Sequence, residues 1–282
     1  MFAEAVEAKT QKNSFTTSVA RLARRASHRI ARHLPLAPMV MRNAEPLVSF
    51  TFDDVPLSAH ALGAPMIEAH GARATFYIAT GFLGQRSDYW TVADRDEVAD
   101  LHLRGHEIAL HSHLHTPAWS LDSRGFAADL QRNRETLLRI HAGIEARNFA
   151  YPYGQCTLAR KFQLNSLVRS SRSIRAGVNR RVLDPHYVRS TELCDARLTP
   201  ERLDAYLDET RRTCGWLVFL MHDVSDQPSP HGCSRCLLDD ALAGAAKRGL
   251  RLVTVDAALD RISGACARAP FKQITSQEFS HG

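Results

Sequence analysis

This chain of 282 residues reads as an α/β protein whose helices cover a parallel sheet. Two observations predict that class. From residue 47 onward, short apolar stretches alternate with longer amphipathic ones, the pattern of repeated β–α units. Six or seven such units fit into roughly 220 residues, which suits either a barrel or an open doubly wound sheet. A third observation places the site. Asp53-Asp54, His111 to His115, Tyr151 to Gly154 and His222-Asp223 each follow a strand-like stretch. In both architectures sites form at the carboxyl ends of the strands, so these four clusters converge on one mouth.

The elements follow in order. Residues 47–52 read as the first strand. A helix is expected over 59–70, with Leu62, Met66 and Ala69 on its apolar side; Pro65 in its middle argues for a later start, and Gly71 stops it. Strands are expected over 74–79 and 106–110, separated by a helix over 94–103 that Gly105 ends. A long helix rich in Leu and Arg spans 123–142, ahead of a strand over 148–151. A short helix over 162–168 and a short strand over 173–177 come next. Pro200 starts a helix over 199–212 at a first-turn position. Trp216–Met221 is a strongly apolar strand, 237–248 a helix closed by Gly249, and 251–255 the last strand.

Three regions are expected: a basic N-terminal extension over 1–45, one domain over 46–262, and a tail over 263–282. The chain is 44% hydrophobic, enough to fill a sizeable core. Residues 1–46 hold eight Lys or Arg against three Glu, a balance of +5 out of the chain's +6. The remainder is nearly neutral, which argues against a nucleic-acid partner. Residues 18–34 carry Val19, Leu22, Ala26 and Ile30 at helical spacing among arginines. They read as a helix packed on the domain or a frayed terminus, or else as a peripheral contact with an anionic membrane surface. No run of about eighteen apolar residues exists, so no transmembrane helix is expected. The first residues lack a secretory pattern, which makes cytoplasmic folding the expectation. Cys156, Cys194, Cys214, Cys233, Cys236 and Cys266 then read as reduced thiols. The lone Cys233-Ser234-Arg235-Cys236 lacks the second pair that a zinc ribbon needs.

The two densest clusters carry chemistry. One carboxylate from Asp53-Asp54 and two imidazoles from His111, His113 and His115 make three metal ligands with an open position. The second carboxylate is left over as a base, which hydrolysis by an activated water requires. Such ligands suit zinc, cobalt or nickel better than magnesium or calcium. Neighbouring strand residues point to opposite faces, so Asp53 and Asp54 serve one site only if the chain bends at Asp53. On a continuing strand residues 111, 113 and 115 share a face; on a helical turn only 111 and 115 do. Thr116-Pro117 favours leaving the strand.

Thr51-Phe52-Asp53-Asp54 and His111-Ser112-His113-Leu114-His115 resemble the first two motifs of the polysaccharide deacetylases, the NodB-homology type of carbohydrate esterase family 4. The resemblance covers residues 46–262 and implies a distorted, incomplete (β/α) barrel with about seven parallel strands. It implies Asp54, His111 and His115 as ligands of a divalent metal, zinc in the first place, and Asp53 as general base. Phe149 to Gly154 resembles the third motif, so Tyr153 would help hold an oxyanion through its backbone N–H. Val218 to Asp223 resembles the fifth, with His222 as the acid that protonates the leaving nitrogen, oriented by Asp223 or Asp195. Two departures stand out. Ala150 occupies the place of the motif arginine that orients the base, and Arg189 is the candidate replacement. The fourth motif, Asp-x-x-x-Trp, is not evident, with Asp184 and Asp195 as stand-ins. Tyr151 and Trp119, with Tyr89 and Trp90, are candidates for contact with a sugar ring. The resemblance implies a carbohydrate substrate, an oligo- or polysaccharide containing N-acetylglucosamine. The competing expectations are a hydrolase of small linear amides or formamides and a degenerate carbohydrate-binding domain.

Overall fold

The computed structural model of the chain describes residues 21–264. Residues 1–20, with Val19 of the basic segment, and 265–282, with Cys266 and most of the expected tail, lie outside the described residues. The barrel strands are β1 (Leu47–Asp53), β2 (Thr75–Ile78), β3 (Glu107–Leu110), β4 (Asn148–Ala150), β5 (Ser170–Arg172), β6 (Thr191–Glu192), β7 (Trp216–Met221) and β8 (Arg251–Leu252). The helices are α1 (21–31), α2 (Ala64–Ala69), α3 (Arg95–Leu103), α4 (Ser123–Ile140), α5 (Leu158–Leu167), α6 (Pro200–Thr213), α7 (Arg235–Lys247) and α8 (Val255–Ser263).

Seven strands run in the order β5-β4-β3-β2-β1-β7-β6, every pairing parallel, and curl into an incomplete barrel. The eighth, β8, pairs with the start of β1, below the point where β2 takes over the same edge. The expected incomplete barrel is therefore the fold observed. Strands β1 and β7 are buried along their whole length, as central strands of a covered parallel sheet should be.

Alternation along the strands divides the interior. Val48, Phe50 and Phe52 of β1, Phe76 and Ile78 of β2, and Leu217, Phe219 and Met221 of β7 join one apolar core with helix residues such as Leu130, Leu207 and Leu242. The residues between them face into the barrel, and many are polar: Ser49, Thr51, Asp53, Thr75, Asn148, Ser170 and Arg172 are buried. They persist there because each finds a partner. Thr51 Oγ1 donates to the Phe219 carbonyl at 2.7 Å, and Trp216 Nε1 to Ser49 Oγ at 2.9 Å. At the amino-terminal end of the barrel Glu107 accepts from Thr75 Oγ1, Asn148 Nδ2 and the Asp256 N–H, joining three strands to α8.

Helices α3 to α8 begin at side-chain caps: Asp94 in a full capping box with Glu97, Asp122, Thr157, Thr199, Ser234 and Thr254. The expected helix over 59–70 is a π-helical turn, Ala59–Gly63, running into α2, with Pro65 just after the junction between the two.

Three expectations need correction. The strand placed over 173–177 lies at Ser170–Arg172; its polar composition hides it, yet all three residues are buried and pair with β4. The helix placed over 162–168 starts at Leu158, behind the Thr157 cap. The last strand stops at Leu252, and Val255 opens α8 behind the Thr254 cap.

Within the described part of the extension, α1 and the turn after it contact the domain. Lys161 Nζ, fully buried, donates to the carbonyls of Ala31 at 2.8 Å and Leu34 at 2.6 Å, and pairs with Asp184. Three acceptors satisfy three ammonium protons, and the charge lies at the helix C-terminus, where the dipole favours it. Among the described residues no helix is long and apolar enough to cross a membrane.

Candidate active site

Asp53 ends β1 and shares the inward face of Ser49 and Thr51. The chain then turns sharply: Asp54 and Val55 adopt φ of +56° and +46°. Left-handed backbone costs a non-glycine residue about 1 kcal/mol or more, and a β-branched valine accepts it least readily. The turn breaks the strand alternation, so both carboxylates line one cavity of about 600 Å³. It comes one residue later than the sequence suggested, because β1 keeps its pairing with β2 through Asp53.

Beyond β3, Ser112 and His115 are also left-handed, at +63° and +49°. Helix α4 pins this loop. Asp129 accepts from the N–H groups of His113 and Leu114, both at 3.0 Å, and Asn133 Oδ1 from that of His111 at 3.2 Å. His113 turns aside to Thr80 Oγ1, 2.9 Å from its Nδ1. His111 and His115 are left in the cavity, their rings 4.8 Å apart. His111 Nδ1 lies 2.9 Å from the Ala150 carbonyl, which can only accept; Nδ1 therefore carries the proton and Nε2 turns its lone pair to the cavity.

Ligand atoms of Asp54, His111 and His115 all lie within 4.8 Å of one another. His115 Nε2 is 3.3 Å and His111 Nε2 3.8 Å from Asp54 Oδ1, and that oxygen is buried without a hydrogen-bond partner. Burial pushes Asp54 up to about 6, with His222 opposing and Asp53 adding to the rise. Burial also brings His111 down to about 3 and lowers His115. An orphaned carboxylate oxygen facing two imidazole nitrogens fits a cation, which would favour the ionised carboxylate and the neutral rings together.

The expected replacement arginine is corrected here. Arg189 does not approach Asp53; its guanidinium lies beside the Ala176 carbonyl, in a different cavity. The partner is Arg172, whose Nη2 reaches both oxygens of Asp53, 2.5 Å from Oδ1. Arg172 is the direct register partner of Ala150 on the adjacent strand, so the two share the inward face. The short Ala150 side chain packs with Ala109 and Tyr77, and the Arg172 guanidinium lies over the Tyr77 ring, 5.0 Å from its centroid. Arg172 Nη1 is held by Ser190 Oγ at 3.2 Å and the Ser173 carbonyl at 3.3 Å. Burial alone would raise the Asp53 carboxyl, but Arg172, His111 and His222 outweigh it and hold it below the ordinary range.

His222, after β7, also lines the cavity, its ring stacked on Trp90 at 5.5 Å. Neither suggested carboxylate orients it: Asp223 accepts from Ser229 and Asp195 from the Ser234 N–H, and His222 Nδ1 is buried without a partner. Tyr153 adopts φ of +57° and its ring lies 4.7 Å from that of His115. Tyr151 is buried and its hydroxyl donates to the His186 carbonyl, a packing role. Trp119 is drawn from the mouth by Gln155, which accepts from its Nε1, and by Arg24, 3.7 Å over its ring. Tyr89, Trp90 and His231 stand at the cavity. Of these contributors Arg172, His231 and the α4 residues carry no sequence motif.

Residues 41–167 match the family model described as polysaccharide deacetylase. This stretch holds the first two motifs and Tyr151 to Gly154. No curated protein matches the chain in sequence. Among solved structures the fold is similar to the chitin deacetylase of the fungal pathogen Colletotrichum lindemuthianum, with a TM-score of 0.55 and 18% identity over 78% of this chain and 90% of that one. It is similar to a family 4 acetyl xylan esterase from Clostridium thermocellum in complex with a cobalt ion, at 0.51 and 22% over 76% and 90%. It is also similar to a carbohydrate esterase family 4 pseudoenzyme from Bacillus anthracis, at 0.56 and 16% over 78% and 67%.

Proposed function

We propose that the chain is a metal-dependent deacetylase that removes the N-acetyl group from N-acetylglucosamine units of an oligo- or polysaccharide. The observation that carries this reading is a division of labour between the two carboxylates: ligand atoms of Asp54, His111 and His115 lie within 4.8 Å of one another, while Asp53 is the one paired with Arg172. A divalent metal on the first three, with zinc, cobalt and nickel suited to the donors, would supply a Lewis acid for the acetamide oxygen and its attacking water. Asp53, kept ionised by Arg172, takes a proton from the water. The Tyr153 N–H, in its left-handed turn, donates to the oxygen on which charge develops. His222 returns a proton to the leaving nitrogen, its ring fixed by Trp90. Trp90 and Tyr89 offer aromatic faces to a sugar ring at the cavity mouth.

The test is acetate release from N-acetylglucosamine oligomers by the full chain, with metal added and with chelator. Metal-dependent acetate supports the reading. Formate or ammonia from small linear amides, without acetate from the oligomers, replaces it with the related amide hydrolase. A third reading, a degenerate carbohydrate-binding domain, predicts sugar binding without release of acetate; the retention of Asp53 and all three ligands speaks against it.

A further inference from the structure

A second cavity, of about 540 Å³, lies apart from the one just described. The loop after β5 divides them: Ile174 lines the catalytic cavity and its neighbour Arg175 the other. Arg32, Arg175, Arg180 and Arg189 line this second cavity with His33, and only Asp184 and Glu209 oppose them. Both carboxylates are already engaged, Asp184 by buried Lys161 and Glu209 by Arg180 at 2.9 Å. Arg32, Arg175 and Arg189 form no ion pair with any described residue. Two of them are held in place by carbonyl oxygens instead: Arg175 Nη1 donates to Arg32 O at 2.8 Å, and Arg189 Nη1 reaches Ala176 O at 3.4 Å. The backbone is shaped for this. Asn179 takes the Arg189 N–H at 3.0 Å and donates to its carbonyl at 3.0 Å. Gly177, at φ of +124°, passes under the guanidinium, where a Cβ would stand 3.1 Å from Arg189 Nη1.

Each guanidinium has five N–H donors, and one carbonyl bond leaves most of them to face the cavity. These arginines are exposed or half-exposed, so water solvates them, and an anion that replaces that water can take charge-assisted hydrogen bonds from several of them at once. A carboxylate offers two oxygens and one charge, which one arginine satisfies. A phosphate group offers three oxygens and nearly two charges, which matches several planar forks. The geometry points to this cavity as a binding site for a phosphate-bearing ligand, separate from the deacetylase site. Its mouth carries Pro35 and exposed Val182, the latter paired with exposed Val40, so the phosphate is either free in solution or the headgroup of a lipid.

The experiment is calorimetric titration of the full chain with inorganic phosphate and with pyrophosphate, and sedimentation with vesicles of phosphatidylcholine with or without phosphatidic acid. Wild type is compared with the double variant Arg175→Gln, Arg189→Gln and with Asp54→Asn. Saturable binding of phosphate or pyrophosphate that weakens at least tenfold in the double variant, and persists in Asp54→Asn, supports a site for free phosphates. Sedimentation only with phosphatidic acid, lost in the double variant, supports a headgroup site. A melting temperature within a few degrees of wild type excludes simple misfolding; for a double variant that unfolds, the singles Arg175→Lys and Arg189→Lys take its place, with the same weakening expected from lost bidentate geometry. No saturable binding by wild type, equal affinity in a folded variant, or loss of binding in Asp54→Asn overturns the proposal.

Discussion

Asp53 and Arg172 lie at 5% and 1% exposure, so neither charge is stable there without the other. Replacing Arg172 by Ala leaves a buried carboxylate unpaired and is expected to cost about 3–5 kcal/mol by urea denaturation. The sign of the pH effect follows from the direction of the shift. Asp53 is held below its unfolded value, so its pairing stabilises the fold above the ordinary carboxylate range, and that stability is lost as pH falls through the folded value. In Arg172→Ala the largest charge opposing burial is gone, with only His111 and His222 left to oppose it, so the proposed base protonates at higher pH and the acid limb of kcat/KM moves up. Because Ala150 and Arg172 are register partners, Arg172→Ala combined with Ala150→Arg should recover part of both losses. No recovery would mean that only the β5 position supplies the right approach. The sequence could show the gap at Ala150 but not its filling. The two positions lie on different strands of which one, Ser170–Arg172, has no strand signature, and pairing is a property of the sheet.

Helix α4 and helix α8 secure opposite ends of the barrel. At the site end Asn133 donates to Ile78 O at 3.0 Å and to Thr80 Oγ1 at 2.9 Å while accepting from His111. Asn133→Leu should weaken metal affinity about 10- to 100-fold, as loss of a group that orients a ligand does, with His111 still present. Metal titration of the variant measures this. At the other end burial, with Asp256 adding to it, raises Glu107 to about 7. An acid whose folded value is raised binds protons more readily in the native state, so stability falls as pH climbs from the ordinary glutamate range towards 7. Glu107→Gln should flatten that slope in urea midpoints taken between pH 5 and 8; an unchanged slope assigns it elsewhere. The apolar strands and the long capped helices were legible because period and caps are local signals. Helix α8 was not, since Val255, which opens it, reads as the end of the apolar strand expected over 251–255.

For the molecule as a whole, the spacing of the motifs located the mouth because parallel βα topology sends every strand end to the same side. What spacing could not convey was the left-handed turn at Asp54 and Val55, which places consecutive carboxylates on one cavity. The same topology puts the proposed metal ligands on the loops after β1 and β3 and the proposed base at the end of β1, so a bound metal would tie β1 to β3. Zinc at a hundred times its dissociation constant should then raise stability by about 2.7 kcal/mol, read as a higher melting temperature. The separation of ligand from base is tested most directly by measuring bound metal and acetate release together in Asp53→Asn and Asp54→Asn. Asp54→Asn should lose the metal and with it the activity. Asp53→Asn should keep the metal while acetate release falls by about 10²-fold or more. Full activity in Asp53→Asn, or undiminished metal in Asp54→Asn, would contradict the division of roles.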